Sequence, residues 1–173
     1  RHSGLRLADA ASAVVQRDSE ESESQLWALK RLDGYTYTLR NMETGKYLSF
    51  GKGNLLDTAR TVETENRIVI ENFNVDDGYR LYADTASEYL GDVLNISTEA
   101  GMPLVVWKQT GTQNQSFKFE YMGDESAYSS SSVEVAPESS SSEAVSSSSA
   151  EITSLVAVSK NLDARIVGVS RVD

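Results

Sequence analysis

An internal repeat constrains this chain more than any other feature, because recurrence at a period of tens of residues fixes the architecture before any local reading does. Tyr37, Leu39, Tyr47 and Leu48 lie over Tyr79, Leu81, Tyr89 and Leu90 at one common offset, with Thr44-Gly45 over Ala86-Ser87 between them. The opening run Arg1-His2-Ser3-Gly4-Leu5-Arg6-Leu7 lies over Met42 to Leu48 and supplies a third copy, which lacks the strand before its turn. Each copy carries a second landmark, a carboxamide two positions before a large apolar residue: Gln25-Leu26-Trp27, Asn66-Arg67-Ile68 and Gln115-Ser116-Phe117.

Within a copy the texture is that of short strands. Tyr35 to Leu39 and Ser116 to Tyr121 alternate with period two. A copy of this size cannot bury its apolar face alone, so three copies must share one core. The expectation is an all-β fold with pseudo-threefold closure, which also leaves few free strand edges. A propeller blade has a similar length, but three blades would not close. Trp27 and Phe117 read as core, and the recurring Tyr37, Tyr47, Tyr79 and Tyr89 as packing. Trp107 fits either core or a surface role.

Composition divides the chain after about residue 123. Ser129–Ser132, Ser139–Ser142 and Ser146–Ser149 are pure serine runs. Residues 124–150 therefore read as a flexible linker, with too little apolar surface to offset its ordering entropy. Residues 151–173 turn apolar again, with Ile152, Leu155, Val156 and Val158 in one cluster and Ile166, Val167 and Val169 in another. A lone hairpin is marginal in water, so this stretch is expected to begin a second, truncated β domain. The start at Arg1 rather than Met gives the reading of a piece of a longer chain.

The net charge of −10, from 26 acidic and 16 basic residues, is the wrong sign for nucleic acid or an anionic membrane surface. No apolar run approaches the ~20 residues of a membrane span. Without cysteine and with His2 as the sole histidine, thiol nucleophiles, cysteine-rich zinc sites and a well-placed Ser-His-Asp triad drop out. Calcium at Asp76-Asp77 lacks a full oxygen-ligand loop. No metal and no cofactor is expected, and no catalytic constellation is recognisable.

The carboxamide-x-aromatic landmark in triplicate resembles the QxW signature of the ricin-type β-trefoil lectins, including the family 13 carbohydrate-binding modules. The resemblance covers residues 1 to about 123 and implies a β-trefoil of three repeats with the first strand truncated. In that family a repeat can hold one sugar site, built from an Asp after the second strand, an aromatic on the third, and an Asn-Gln pair before the signature aromatic. Carried over, this assigns Asp92, Trp107, Asn114 and Gln115 to carbohydrate binding in the third copy, although Val105 stands where the family has Gln. The first copy offers Asp9, Gln16 and Gln25, with Ser24 for the Asn. Gln25 has a competing role in satisfying buried backbone groups. The second copy has Ser49 at the Asp position and Glu65-Asn66 at the pair, which implies a lost site.

These residue types suit a sugar. An aromatic ring covers the C–H face of a pyranose. A carboxylate accepts from vicinal hydroxyls, and a carboxamide both donates and accepts. The reading is therefore a non-catalytic carbohydrate-binding module, a monomer whose partner is a glycan. It would target an attached, missing glycoside hydrolase or polysaccharide lyase to plant cell-wall or other glycans. The serine-rich stretch resembles linkers of secreted polysaccharide-degrading proteins of the Fibrobacter type, which implies a secreted or cell-surface bacterial protein. The alternatives are a trefoil spacer or protein-interaction domain with decayed sugar sites, and a fragment of the glycosidase itself.

Overall fold

A computed structural model describes residues 5–74, 78–84, 86–125 and 165–172. Among these residues the chain folds into twelve strands: β1 (Leu5–Asp9), β2 (Val14–Asp18), β3 (Leu26–Asp33), β4 (Thr36–Asn41), β5 (Tyr47–Ser49), β6 (Arg60–Val62), β7 (Ile68–Asn74), β8 (Gly78–Tyr82), β9 (Tyr89–Val93), β10 (Leu104–Lys108), β11 (Phe117–Asp124) and β12 (Arg165–Arg171). Short 310 turns at Glu23–Gln25, Leu94–Ile96 and Gln113–Gln115 punctuate them.

Six strands close a ring. β12 pairs with β3, β3 with β4, β4 with β7, β7 with β8, β8 with β11, and β11 with β12, all antiparallel. Closure removes the free edges that an open sheet would expose. The hairpins β1–β2, β5–β6 and β9–β10 each hang from one ring strand, through Arg6↔Ser170, Arg40↔Tyr47 and Tyr82↔Leu90. Three lobes of four strands around one axis make a β-trefoil, as the repeat implied. The shared core takes Leu7, Trp27, Leu39, Leu48, Ile70, Leu81, Phe117 and Val169 from all three lobes. Tyr79 meets Phe119 edge-on at 5.4 Å between ring centroids, a favourable aromatic geometry.

The structure corrects the reading of the C-terminal segment. The second apolar cluster does not begin another domain, because β12 fills the place of the first strand that the opening copy lacks. Phe119 lies opposite Val169 and Tyr121 opposite Val167, as Leu29 lies opposite Leu39 and Arg31 opposite Tyr37. Ile166, Val167 and Val169 are completely buried. The physical reason is that a strand alone exposes both its ladder groups and its apolar side chains, and the gap between β3 and β11 satisfies both. The fit is specific. A side chain at Gly168 would lie 3.0 Å from Arg6 Nε, whose guanidinium pairs with Glu120 across the strand. Gly78, at φ +82°, approaches Phe117 O so closely that a Cβ would sit 2.6 Å from it. Residues 126–150 of the expected linker and 151–164 lie outside the described residues.

One landmark superposes differently from expectation. Ring strands place Tyr47 opposite Arg40 but Leu90, not Tyr89, opposite Tyr82. The third copy therefore runs one residue later in its hairpin. Leu48 enters the main core, whereas Leu90 joins a separate cluster with Val69 and Tyr82. Gly91 then takes the inward position, and the Phe50 ring fills the space a side chain there would need.

Candidate glycan-binding site

Period-two alternation sorts the β9–β10 hairpin into two faces. Val93, Leu104 and Val106 point into the core. Asp92 lies opposite Val105 and Leu90 opposite Trp107, so Asp92 and Trp107 share the other face as diagonal neighbours. The 310 turn Gln113–Gln115 packs against β9 and brings the carboxamides to the same place.

Gln115 Nε2 donates to Asp92 Oδ2 at 2.8 Å and to Lys108 O at 2.8 Å, while its Oε1 accepts from Thr110 N. Asn114 Nδ2 donates to Val93 O at 3.3 Å, and its buried Oδ1 has no hydrogen-bond partner among the described residues. Burial pushes the Asp92 pKa above the ordinary carboxylate value, and hydrogen bonds from Gln115 and Asn114 act against that rise. Asp92 is nearly buried, whereas Trp107 keeps 36% of its surface exposed. The arrangement is a polar cluster at the foot of a half-open aromatic ring. A hydroxyl-rich ligand could stack on the indole beside the edge of Asp92, whereas Asn114 and Gln115 are buried and hold the acid from behind.

The other candidates have different surroundings. Gln25 repeats the backbone role of Gln115, with Nε2 donating to Asp18 O and Oε1 accepting from Glu20 N. Matching Asp18 to Lys108 and counting along the paired strands sets Ala8, opposite Val15, in the place of Asp92. Arg17 then stands in the place of Trp107. Asp9 is one position further on. Its Oδ2 accepts from the Thr44 and Thr61 hydroxyls at 2.8 Å each, and its Oδ1 from Ala11 N. It ties the first lobe to the second. Gln16 points its amide at Ser97 O and Glu99 O. In the second lobe Ser49 Oγ accepts from Gly51 N, and the shorter Asn66 side chain reaches Leu48 O. Of the three lobes, the third alone places acid, aromatic and both carboxamides on one face.

Two neighbouring segments border this face and were not singled out in the sequence. Residues 56–59 run along the free edge of β10, with Leu56 N donating to Val106 O, Val106 N to Asp57 O and Thr58 bridged to Val105. The Leu94–Ile96 turn packs against Gln113–Gln115. Their signal in sequence, Leu55-Leu56 after a glycine-rich turn and Ile96 between polar residues, is too local to locate them. Among the described residues, no cluster of His, Asp or Glu is arranged to hold a metal ion.

No protein-family model and no curated protein matches the chain. Solved structures do. A designed 3-fold symmetric protein, ThreeFoil, is 24% identical with a TM-score of 0.58, covering 66% of this chain and 89% of its own. The Macrolepiota procera ricin B-like lectin, solved in complex with lactose, is 18% identical with a TM-score of 0.59, covering 65% and 84%. The Rhizoctonia solani agglutinin is 22% identical with a TM-score of 0.57, covering 65% and 82%. At these identities the likeness establishes the β-trefoil fold.

Proposed function

We propose that this chain is a non-catalytic glycan-binding domain and that the third lobe carries its site. The observation that bears most weight is the Asp92–Gln115–Asn114 cluster beneath the exposed Trp107 ring. Buried acids are costly unless they are hydrogen-bonded, and a nearly buried acid that Gln115 holds on the same hairpin face as an exposed aromatic ring is suited to accept from sugar hydroxyls. The lactose complex of the Macrolepiota procera lectin, which shares the fold, supports the same class of ligand. Binding at one site is weak, because sugar hydroxyls trade water for protein at a net gain of about 0.5–1.5 kcal/mol per neutral bond. Millimolar to tens of micromolar affinity, about −4 to −6 kcal/mol, is the expected range.

Weak single-site binding fits a domain whose task is to hold an attached partner near a polymer. In this reading the partner is a glycoside hydrolase or polysaccharide lyase in a secreted or surface-attached protein, with the rest of the affinity supplied by multivalency. A glycan array with wild type, Asp92→Ala and Trp107→Ala tests the site. Binding by wild type and loss in both variants is expected; equal binding by all three removes the third lobe from consideration. A spacer or protein-interaction role, favoured by the incomplete first and second lobes, predicts no glycan signal at all.

A further inference from the structure

Among the described residues, four that are not glycine have φ in the left-handed region: Ala11, Leu56, Asn95 and Ile96. Three of them sit in the two segments that border the third-lobe face. Asparagine tolerates this conformation; leucine and above all β-branched isoleucine do not. Leu56 has φ +67° and Ile96 φ +56°. Burial does not account for either choice, since Leu56 is 54% and Ile96 61% exposed. At both positions an apolar side chain is thus held toward solvent on a backbone that disfavours it.

The surroundings hold the strained backbone in place. Arg171 Nη1 donates to Ser97 O at 2.7 Å, and Gln16 Nε2 donates to Ser97 O at 2.9 Å and to Glu99 O at 2.6 Å. Two other elements, β12 and β2, therefore fix the loop that carries Ile96. Leu56 is fixed through its N–H on Val106 O, next to Trp107 in β10. Strain maintained by several contacts is characteristic of ligand sites. Leu55, also exposed, extends the apolar border beside Leu56.

We infer that Leu56 and Ile96 are outer subsites, and that the third lobe takes an oligosaccharide chain rather than a single sugar. The inference rests on the third lobe being a glycan site. The polar cluster and Trp107 hold one residue, while the apolar side chains on either border pack against C–H faces of the residues before and after it. Chain length, more than the identity of one terminal sugar, then sets affinity.

Calorimetric titration of the full chain with glucose, xylose and galactose, and with cellotetraose, xylotetraose and β-1,4-galactotetraose, provides the test. Wild type should bind one tetrasaccharide at least about tenfold more tightly than its monosaccharide. Leu56→Gly and Ile96→Gly should each remove most of that gain, leave monosaccharide affinity unchanged and leave the melting temperature equal or higher, since glycine is at ease at positive φ. Leu56→Asn and Ile96→Asn, which also tolerate this backbone, replace either glycine variant that fails to fold. Equal affinity of wild type for mono- and tetrasaccharide overturns the outer subsites and leaves the glycan site standing. So does wild-type tetrasaccharide affinity in the variants. No binding by wild type to any of the six sugars defeats the glycan reading itself, and the subsites with it.

Discussion

The Gln115 amide donates to the Asp92 carboxylate at 2.8 Å, whereas the equivalent Gln25 amide in the first lobe has no acid to meet. Both glutamines hold the turn after a hairpin, and the third lobe adds a second function to the same side chain. A framework residue thereby orients the group proposed to accept sugar hydroxyls, which makes the acid sensitive to turn integrity.

The pH dependence has a definite sign. Burial raises the Asp92 pKa above the ordinary carboxylate value, so the folded chain binds a proton that the unfolded chain has already released. Stability therefore falls as pH rises from the unfolded carboxylate pKa through the raised folded one. Asp92→Asn removes this penalty. In calorimetric scans its melting temperature should gain on wild type between acid and neutral pH. Glycan affinity should behave oppositely, since the acceptor is the ionised acid. It should drop in wild type as pH falls through the raised pKa, and be low with no such dependence in Asp92→Asn.

Gln25 separates framework from site. Gln25→Ala leaves Asp18 O and Glu20 N without their side-chain partner, at a cost of about 1–3 kcal/mol. Denaturant unfolding should register that loss while glycan affinity stays at the wild-type value. Gln115→Ala should lose both, because the same amide also serves Asp92.

The contrast between these glutamines shows what the sequence could convey. The amide-x-aromatic landmark predicts a fixed relation between a carboxamide and the core, and Trp27 and Phe117 are buried as that relation requires. It also brings Asn114 and Gln115 to Asp92. It cannot register a one-residue change in hairpin length, so the repeat sets Tyr89-Leu90 over Tyr47-Leu48, and the resemblance sets Asp9 at the acid position that Ala8 occupies. β12 was illegible for another reason. Its seven residues have strand character, but their partners in β3, β11 and β1 are far away in sequence. Leu56 and Ile96 leave no mark in the sequence, because the backbone conformation that makes them unusual is not written in residue type.

β12 is expected to be indispensable to the barrel. Val167 is completely buried in the common core, and Val167→Asp places an unpaired carboxylate there, at a cost of about 4 kcal/mol or more. Urea unfolding followed by far-UV circular dichroism should shift far to lower denaturant or vanish as a cooperative transition. An unchanged midpoint would mean that the closed ring does not depend on this strand.

Asp9 offers a decisive comparison, since the family resemblance offers it as a sugar ligand while its hydrogen bonds tie two lobes together. Its two oxygens accept from Thr44, Thr61 and the Ala11 N–H. Hydrogen bonds to a charged acceptor are the stronger kind, and in Asp9→Ala the Thr61 hydroxyl and the Ala11 N–H lose this acceptor while Thr44 keeps only its longer bond to Asn41 Oδ1. A loss of about 2–4 kcal/mol is expected, with Thr61→Val showing part of the same effect through the hydroxyl it removes. At a temperature where the variant remains folded, its affinity for glycans should equal that of wild type. Loss of binding with unchanged unfolding would instead restore Asp9 as a ligand, and with it a second site on the first lobe.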